Sequence, residues 1–376
     1  MLENEIGIEN EFVPDYTVSP GESLLETLET LGMSQTELAR RTGRPIKTIN
    51  EIIQAKVAIT PETAIQLERV LGVPASYWLR MEQNYREDLA RLQDNKALQE
   101  QLPWLRDVPV NEMVKFGWIK KWSDQLDQLR EVLRFYAVAS VKQWQVFWDS
   151  QVAAIAFRQS TAFKVDTVGI TAWLRQGELE AQVIDCQPFD AARFRKEIET
   201  IRALTQEGPA VFVPELEKRS AACGVAVVFV PELPRTGVCG ATRWLTSTKA
   251  LIQLSLRYKT DDQLWFTFFH EAGHILLHGK RETFLEIEGS SNEKEQEADE
   301  FAANQLIPTS QLQQFLATYQ PPCVSRAAIE QFANQLGIAP GIVVGRLQHD
   351  GVIPPQNCNG LKRRLAWAEM SLVVAD

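Results

Sequence analysis

Residues 261–279 read DDQLWFTFFHEAGHILLHG and predict a buried helix. Residues 260–262, Thr-Asp-Asp, offer a helix cap and first-turn acids at the start of this helix. Apolar side chains then cover most of its circumference. His270 and His274 lie one helical turn apart, about 40° apart around the axis and about 6 Å along it. Both imidazoles can therefore face one metal ion.

Glu271 lies between these histidines, about 100° around the helix from His270. It can stand beside a zinc ion and accept a proton from the zinc-bound water. The chain holds 4 histidines in 376 residues, so chance is a poor explanation of the motif. The alternative is that His270 and His274 are hydrogen-bonded core residues without a metal. We predict one Zn²⁺ per chain, with Glu271 as the catalytic residue.

A second helix, about residues 292–306, is predicted to supply the third ligand, because catalytic zinc usually has three protein ligands and one open position. Ser290 and Glu293 fit a capping box, and Pro308 marks the end of the helix. Glu295 is the predicted ligand on this helix.

Asp299, one turn after Glu295, is predicted to accept a hydrogen bond from a ligand imidazole. Glu297 and His278 remain alternatives for the third ligand, since His278 continues the four-residue series of histidines. A different interpretation is a solvated acidic face made of Glu293, Glu295, Glu297 and Glu300.

The sequence resembles the ImmA/IrrE family of metallo-endopeptidases over about residues 212–376. The matching motifs are 251–258 (LIQLSLRY), 270–274 (HEAGH), 295–302 (EQEADEFA) and 306–308 (LIP). The resemblance implies that His270, His274 and Glu295 bind zinc, that Glu271 is the general base and that Asp299 supports the site. Several family members cleave small helix-turn-helix repressors, so a protein substrate is implied.

Five short helices with polar caps are predicted at 20–31, 34–42, 45–54, 60–71 and 74–89. The turn at residues 42–45 has the character of a helix-turn-helix, whose recognition helix enters the DNA major groove. On the third helix the predicted contacts to base edges or nearby phosphates are Ile46, Lys47, Thr48 and Asn50. Gln35 and Arg44 are predicted to contact the DNA backbone.

The distribution of charge along the chain favours the prediction of DNA binding. The whole chain carries a net charge of −10, but residues 34–56 hold five basic and two acidic side chains, a balance of +3. The alternative is a small bundle that mediates only protein contacts.

The same region resembles the HigA-type antitoxin branch of the phage-repressor-like helix-turn-helix family. The matching motifs are 19–22 (SPGE), 35–39 (QTELA), 58–64 (AITPETA), 76–79 (SYWL) and 84–85 (NY). The resemblance implies a homodimer on a palindromic double-stranded operator, autoregulation and neutralisation of a cognate toxin.

The predicted fold class is α+β and predominantly helical. We expect a flexible segment at 1–18, an all-α helix-turn-helix bundle at 19–90, a helical linker domain with its own apolar core at 91–210, and a zincin-like domain with a small sheet at 211–376. Strands are predicted at 224–230 and 250–255, with residues 238–243 as an edge for a docked peptide. Arg243 or Tyr258 is a candidate to stabilise an oxyanion, and the equal alternative for each is a structural hydrogen-bonding role.

Composition is typical of a soluble chain, with 45% hydrophobic and 23% charged residues. No 18-residue apolar run or signal-peptide pattern occurs, so we expect neither membrane insertion nor secretion. The five cysteines are widely spaced, which fits a reducing cytoplasm.

Three functional hypotheses follow. The first is a DNA-binding transcriptional regulator with a zinc endopeptidase that cleaves a repressor or toxin partner. The second is an antitoxin and autorepressor whose peptidase-like domain is catalytically idle. The third is a general degradative protease, which the attached DNA-binding region disfavours.

Overall fold

The computed structural model describes residues 18–156, 166–279, 284–287, 293–318, 324–368 and 371–375. The predicted flexible segment, apart from residue 18, and the predicted cap Ser290 lie outside these ranges. The chain divides into two compact units, Met1–Leu102 and Pro103–Asp376.

The first unit contains five helices among its described residues: α1 Pro20–Thr30, α2 Gln35–Thr42, α3 Ile46–Ile53, α4 Pro61–Leu71 and α5 Ala75–Gln99. Side-chain oxygens of Ser19, Ser34 and Thr60 cap α1, α2 and α4. Gly43 ends α2 with a φ of 70°, a conformation that glycine adopts without strain. A small apolar core joins the helices and includes Leu24, Leu38, Ile49, Leu67 and Trp78.

The second unit begins with helices α6 Val110–Lys115, α7 Gln125–Tyr136, α8 Val141–Ala156, α9 Thr167–Val183, α10 Ala191–Ile201 and α11 Pro209–Ala221. Its later helices are α12 Asp261–Leu277, α13 Glu293–Leu306, α14 Thr309–Thr318, α15 Arg326–Leu336 and α16 Pro340–His349. Its strands are β1 Val225–Phe229, β2 Val238–Thr246, β3 Lys249–Leu254, β4 Phe284–Ile287, β5 Leu365–Ala368 and β6 Ser371–Val374.

The larger sheet has the strand order β1-β3-β2-β4. β3 runs parallel to β1 and antiparallel to β2, and β4 pairs antiparallel with the other side of β2. The prediction that residues 238–243 form an exposed edge is therefore wrong. The cause is non-local, since β4 follows α12 in the chain and covers the side of β2 that the local sequence leaves open.

Both faces of this sheet are covered by apolar cores. Side chains alternate between the two faces along each strand, so successive residues belong to different cores. Val225 and Val227 of β1 belong to the apolar core on the α12 side. Ala226 and Val228 belong to the core on the α9 side. Trp173 of α9 fixes this layer, since its buried indole N–H donates a hydrogen bond to the Val230 carbonyl at 3.0 Å.

The segment predicted as a linker domain takes part in both cores. Trp144 and Trp173 pack on the α9 side together with sheet residues. Phe194 and Ile198 of α10 pack on the α12 side. The segment 103–210 thus shares its apolar contacts with the sheet, which is why it falls in one unit with the rest of the chain. The α+β, predominantly helical fold class is confirmed.

None of the helices among the described residues is both long and apolar enough to span a membrane.

Candidate metal centre

Three potential ligand side chains meet between α12 and α13. The His270 Nε2 atom lies 3.0 Å from the Glu295 Oε2 atom and 3.0 Å from the His274 Nε2 atom. The distance from His274 Nε2 to Glu295 Oε2 is 3.3 Å. Their side chains are at most 8% exposed. The structure therefore brings together the two predicted histidine ligands and the predicted glutamate.

The donor set fits a zinc ion. Two imidazole nitrogens and one carboxylate oxygen are ordinary zinc ligands, at distances of about 2.0–2.2 Å from the metal. All three atoms lie within 4.8 Å of one another, so a single ion can reach them together. A fourth position would stay open for water, as catalytic sites require.

Close packing of two helices creates this geometry. A Cβ atom on Gly273 of α12 would lie 3.1 Å from the Phe301 Cδ1 atom and 3.3 Å from the Ala298 Cα atom of α13. Glycine at this position therefore lets α13 approach α12 closely enough for Glu295 to reach the histidines. The interpretation of the acidic residues as one solvated face does not hold for Glu295, which is buried.

Asp299 lies on the far side of His270. Its Oδ1 atom is 2.8 Å from the His270 Nδ1 atom, while the other nitrogen of the ring faces Glu295. This is the arrangement predicted for a carboxylate that orients a ligand imidazole. Glu297 and His278, the alternative third ligands, instead contact each other at 2.9 Å.

Glu271 is fully buried beside the cluster. Neither oxygen of its carboxyl group has a hydrogen-bond partner among the described residues. Burial raises the pKa of Glu271 well above its usual range. A buried carboxyl group left without partners is costly for folding, which makes Glu271 a candidate functional residue.

The sheet shapes the space around Glu271. A Cβ atom on Gly240 of β2 would lie 2.7 Å from the Glu271 Oε1 atom, so a larger residue would crowd the carboxyl group. Two positions further along β2, the Thr242 hydroxyl donates a hydrogen bond of 3.1 Å to the Glu271 backbone carbonyl. β2 therefore fixes this part of α12.

Hydrogen bonding and burial set the charges of the ligand residues. Burial would raise the pKa of Glu295, but its contacts with His270 and His274 lower it to about 2. Burial opposes protonation of His270, yet contacts with Asp299 and Glu295 raise its pKa well above the usual range. Burial lowers the pKa of His274. The cluster combines a carboxylate with two imidazoles of different proton affinity.

Sequence reasoning missed two residues of β4. The Phe284 ring stacks on the His274 ring, with centroids 4.1 Å apart and an angle of 12° between the planes. Burial raises the pKa of Glu286, which lies opposite Gly240 in the sheet. The sequence signal for this strand is Glu286, an acidic residue within the otherwise apolar run 284–287.

Arg243, a candidate for oxyanion stabilisation, lies on the other face of β2. Its Nη2 atom donates a hydrogen bond of 2.7 Å to the Leu174 carbonyl of α9. The side chain is buried there and lies 3.4 Å from Glu178. These contacts connect β2 to α9, which is a structural role. Tyr258, the other candidate, is 44% exposed.

The predicted DNA-contacting residues lie in the first unit, on α3 and near it. Ile46 is 42% exposed, and the Lys47 side chain is 83% exposed with Glu51 at 3.8 Å. Thr48, Asn50 and Gln35 are half-buried. The Arg44 Nε atom donates a hydrogen bond of 2.6 Å to Gln66 of α4. The start of α3 is thus its most accessible part, while Arg44 is held by a neighbouring helix.

Comparison with protein families identifies both regions. A helix-turn-helix family model matches residues 24–78. A model of the M78 peptidase family, described as an IrrE N-terminal-like domain, matches residues 240–347. The second match contains the whole candidate metal cluster.

Individual curated relatives match short parts of this chain. Virulence-associated protein A of Dichelobacter nodosus is 42% identical over 59 residues, which are 15% of this chain and 58% of that protein. The chain thus spans little more than half the length of this relative. The uncharacterised HTH-type transcriptional regulator YddM of Escherichia coli is 35% identical over 63 residues, 17% of this chain and 67% of that protein.

A solved structure of the Pseudomonas aeruginosa antitoxin HigA with the higBA promoter is also similar. It is 27% identical, and the match covers 23% of this chain and 94% of that one with a TM-score of 0.22. A TM-score this far below 0.5 does not by itself establish a shared fold. The family matches do identify the regions, and the chain therefore belongs to the helix-turn-helix family through its N-terminal DNA-binding domain and carries an IrrE N-terminal-like domain of the M78 peptidase family in its C-terminal half.

Proposed function

We propose that this chain is a transcriptional regulator whose C-terminal domain is a zinc-dependent endopeptidase acting on a regulatory protein, such as a repressor or toxin partner. One observation carries the proposal. A buried cluster of His270, His274 and Glu295 lies next to the buried carboxyl group of Glu271, whose oxygens have no hydrogen-bond partner among the residues that the structure describes. The attached DNA-binding domain favours a regulatory substrate over general protein degradation.

His270, His274 and Glu295 would hold the ion. Bound zinc supplies a Lewis acid that polarises the peptide carbonyl and activates water. Glu271 accepts the proton of the attacking water and returns it to the leaving amine. A cation held by its neighbours favours the carboxylate form of Glu271 despite burial. Asp299 keeps the His270 ring oriented through the 2.8 Å contact.

Glu271→Gln tests the peptidase. We expect wild-type protein to contain about one zinc per chain and to cleave members of a proteome-derived peptide library, read out by mass spectrometry. The variant keeps a side chain of the same size but cannot accept the proton. It should retain zinc and lose cleavage by at least about 100-fold, within the range for general base catalysis.

Glu300→Gln is the matched control, because Glu300 is an exposed carboxylate on α13. It should cleave at the wild-type rate. A wild-type protein without zinc, or a Glu271→Gln variant with unchanged cleavage, would contradict the peptidase proposal. Repression without any cleavage would favour the antitoxin with an idle peptidase-like domain.

For the DNA-binding domain we propose that α3 enters the major groove of double-stranded operator DNA. Ile46, Lys47, Thr48 and Asn50 would meet base edges or nearby phosphates, and Gln35 and Arg44 would contact the backbone. The exposure of Ile46 and Lys47 at the start of α3 supports this. We further propose a homodimer, since two-fold symmetric proteins of this type read two half-sites.

Lys47→Ala tests this interface on a duplex selected in vitro by the wild-type chain. Binding should weaken, and the slope of log affinity against log salt should fall by about 1, because one phosphate contact is lost. Lys96→Ala removes an equal charge from an exposed position on α5 and should leave binding unchanged. Equal affinity and salt slope for Lys47→Ala and wild type would remove Lys47 from the interface.

A further inference from the structure

Helix α13 directs three carboxylates toward three histidines of α12 and its C-cap. Glu295 contacts His270 and His274 in the ligand cluster. Asp299 contacts His270 from outside the cluster. Glu297 contacts His278 at 2.9 Å. The contact between Glu297 and His278 has no role in the chemistry described so far.

His278 also contacts His274. The two Nδ1 atoms lie 2.9 Å apart, and the ring centroids are separated by 5.0 Å. The His278 side chain is only 4% exposed, although it caps the end of α12. The His278 backbone N–H donates a hydrogen bond of 3.1 Å to the His274 carbonyl. Both nitrogens of the His278 ring are therefore engaged, one by His274 and one by Glu297.

The chemistry of imidazole determines how protons are placed along this chain of contacts. A neutral imidazole has one N–H donor and one acceptor nitrogen, and only the acceptor nitrogen can bind a metal. If His274 binds through Nε2, its proton is on Nδ1 and is donated to Nδ1 of His278. The His278 proton is then on Nε2 and is donated to Glu297.

We propose that His278 and Glu297 are positioning residues, which hold His274 in the tautomer that presents the Nε2 lone pair to a divalent cation. The inference rests on the proposed zinc site. Asp299 holds the His270 ring in the corresponding tautomer through one direct contact. For His274, the carboxylate of Glu297 acts through His278 as an intermediate. Partners of this kind typically change metal affinity by 10–100-fold.

The surroundings of His274 support a specific orientation. The Phe284 ring stacks on His274 from one side and lies 5.2 Å from the His278 ring. Stacking fixes the plane of the ring, but it does not choose between the two tautomers. The hydrogen bond from His274 to His278 makes that choice. The Glu297 side chain is 55% exposed, so the series of contacts ends at the surface.

The test measures zinc affinity of the full chain by competition with a chromophoric chelator. His278→Leu removes both hydrogen bonds and should weaken zinc binding by about 10–100-fold. His278→Gln should stay within about threefold of wild type, because its amide oxygen can accept from His274 and its NH₂ group can donate to Glu297. Rescue by glutamine separates hydrogen bonding from packing.

A second pair of variants avoids the buried site. Glu297→Ala removes the last acceptor and should weaken zinc binding by several-fold, in the same direction as His278→Leu. Glu300→Ala, an exposed residue on the same helix, should leave it unchanged. Because the chain has only 4 histidines, histidine-labelled protein allows NMR assignment of each tautomer. Zinc-loaded wild type and His278→Gln should show His274 protonated at Nδ1.

The outcomes separate this inference from the proposed function. Absence of zinc binding by the wild type would overturn both. If the wild type binds zinc but His278→Leu and Glu297→Ala bind it equally well, the zinc site stands and the positioning role is overturned. Equal weakening by His278→Leu and His278→Gln, or a His274 proton on Nε2 in the zinc-loaded protein, would also overturn the positioning role.

Discussion

At the scale of single residues, α12 carries buried acids at its N-terminus as well as at its centre. Asp261 is 1% exposed, and its Oδ1 atom accepts hydrogen bonds from the backbone N–H groups of Arg363 at 2.9 Å and Asp262 at 3.0 Å. Burial raises the pKa of Asp261 to about 6 despite these bonds. Asp261 thus connects the start of α12 to the C-terminal segment. The contribution of this buried carboxyl group to the free energy of unfolding depends on pH.

The first prediction is that Asp261→Asn removes a pH dependence of stability. The carboxyl group ionises near 3.8 when exposed and near 6 when folded. Its stabilising contribution is therefore full below about pH 4 and is lost as the pH rises through 6, at a cost of about 3 kcal/mol. Asparagine stays neutral and keeps the acceptor oxygen. The free energy of urea unfolding of the variant relative to wild type should rise between pH 4 and pH 7.

The control for this change is Asp185→Asn, at an exposed position. This surface substitution should change the free energy of unfolding by less than about 0.5 kcal/mol. A difference between Asp261→Asn and wild type that stays constant from pH 4 to pH 7 would show that the Asp261 carboxyl group titrates alike in the folded and unfolded states.

The ligand cluster illustrates what local sequence predicts at this scale. His270 and His274 share a helix, so the period of 3.6 residues fixes their relation. Glu295 was predicted from its four-residue step to Asp299 on the next helix. Glu286 and the pairing of His278 with Glu297 were not predicted, because they depend on how separate elements approach one another.

At the scale of elements, α9 lies close against the sheet at Gly177. A Cβ atom there would lie 2.0 Å from the Gln253 Oε1 atom and 2.1 Å from the Gln253 Cδ atom. Gln253 of β3 is fully buried, and its Nε2 atom donates a hydrogen bond of 2.7 Å to the Trp173 carbonyl. Gln253 therefore cannot move aside without losing a buried hydrogen bond.

The second prediction is that Gly177→Ala destabilises the protein. Alanine favours a helix over glycine by about 1 kcal/mol, but overpacking against Gln253 costs roughly 1–3 kcal/mol and the lost hydrogen bond adds to it. The net effect should be a lower midpoint of urea unfolding. Gly360→Ala is the control, since a Cβ atom there meets nothing within 4 Å. A higher midpoint for Gly177→Ala would mean that α9 packs less tightly on β3.

Elements with strong local patterns were predicted well. α1 to α4 begin and end within one residue of their predicted limits, because polar caps and glycine mark those limits. α5 continues to Gln99, ten residues beyond its predicted end, since no breaker follows residue 89. β4 has only four residues, too few for a clear alternation, and its absence from the predictions led to the incorrect edge at β2.

At the scale of the whole molecule, the chain combines two compact units with separate apolar cores. The ligand cluster belongs entirely to Pro103–Asp376. Sequence motifs identified both functional regions, because each depends on a short stretch with its own period. The extent of the second unit was not predicted. The local sequence of the apolar helices in 103–210 does not show that they pack against the sheet.

The third prediction concerns zinc and unfolding. An ion bound only by the folded second unit stabilises it by about 4 kcal/mol at a thousandfold excess over Kd, which corresponds to roughly 10 °C for a unit of this size. Calorimetry of the full chain should show one transition that falls after removal of zinc by a chelator and another that does not move.

Leu38→Ala identifies the second of these transitions, because Leu38 is fully buried in the core of the first unit. The variant should lower the zinc-independent transition alone. If chelation shifts both transitions equally, or shifts neither, zinc is not bound by the second unit alone.

The alternation along β2 has a consequence for assembly of the protein. Gly240 and Thr242 face Glu271, while Arg243 faces α9. A slip of this strand by a single residue would exchange its faces and bring a guanidinium group against the carboxyl group of Glu271. Under the proposed role of Glu271 as general base, misregistered molecules would lose catalysis, so the fidelity of strand pairing during folding would determine the active fraction of a preparation.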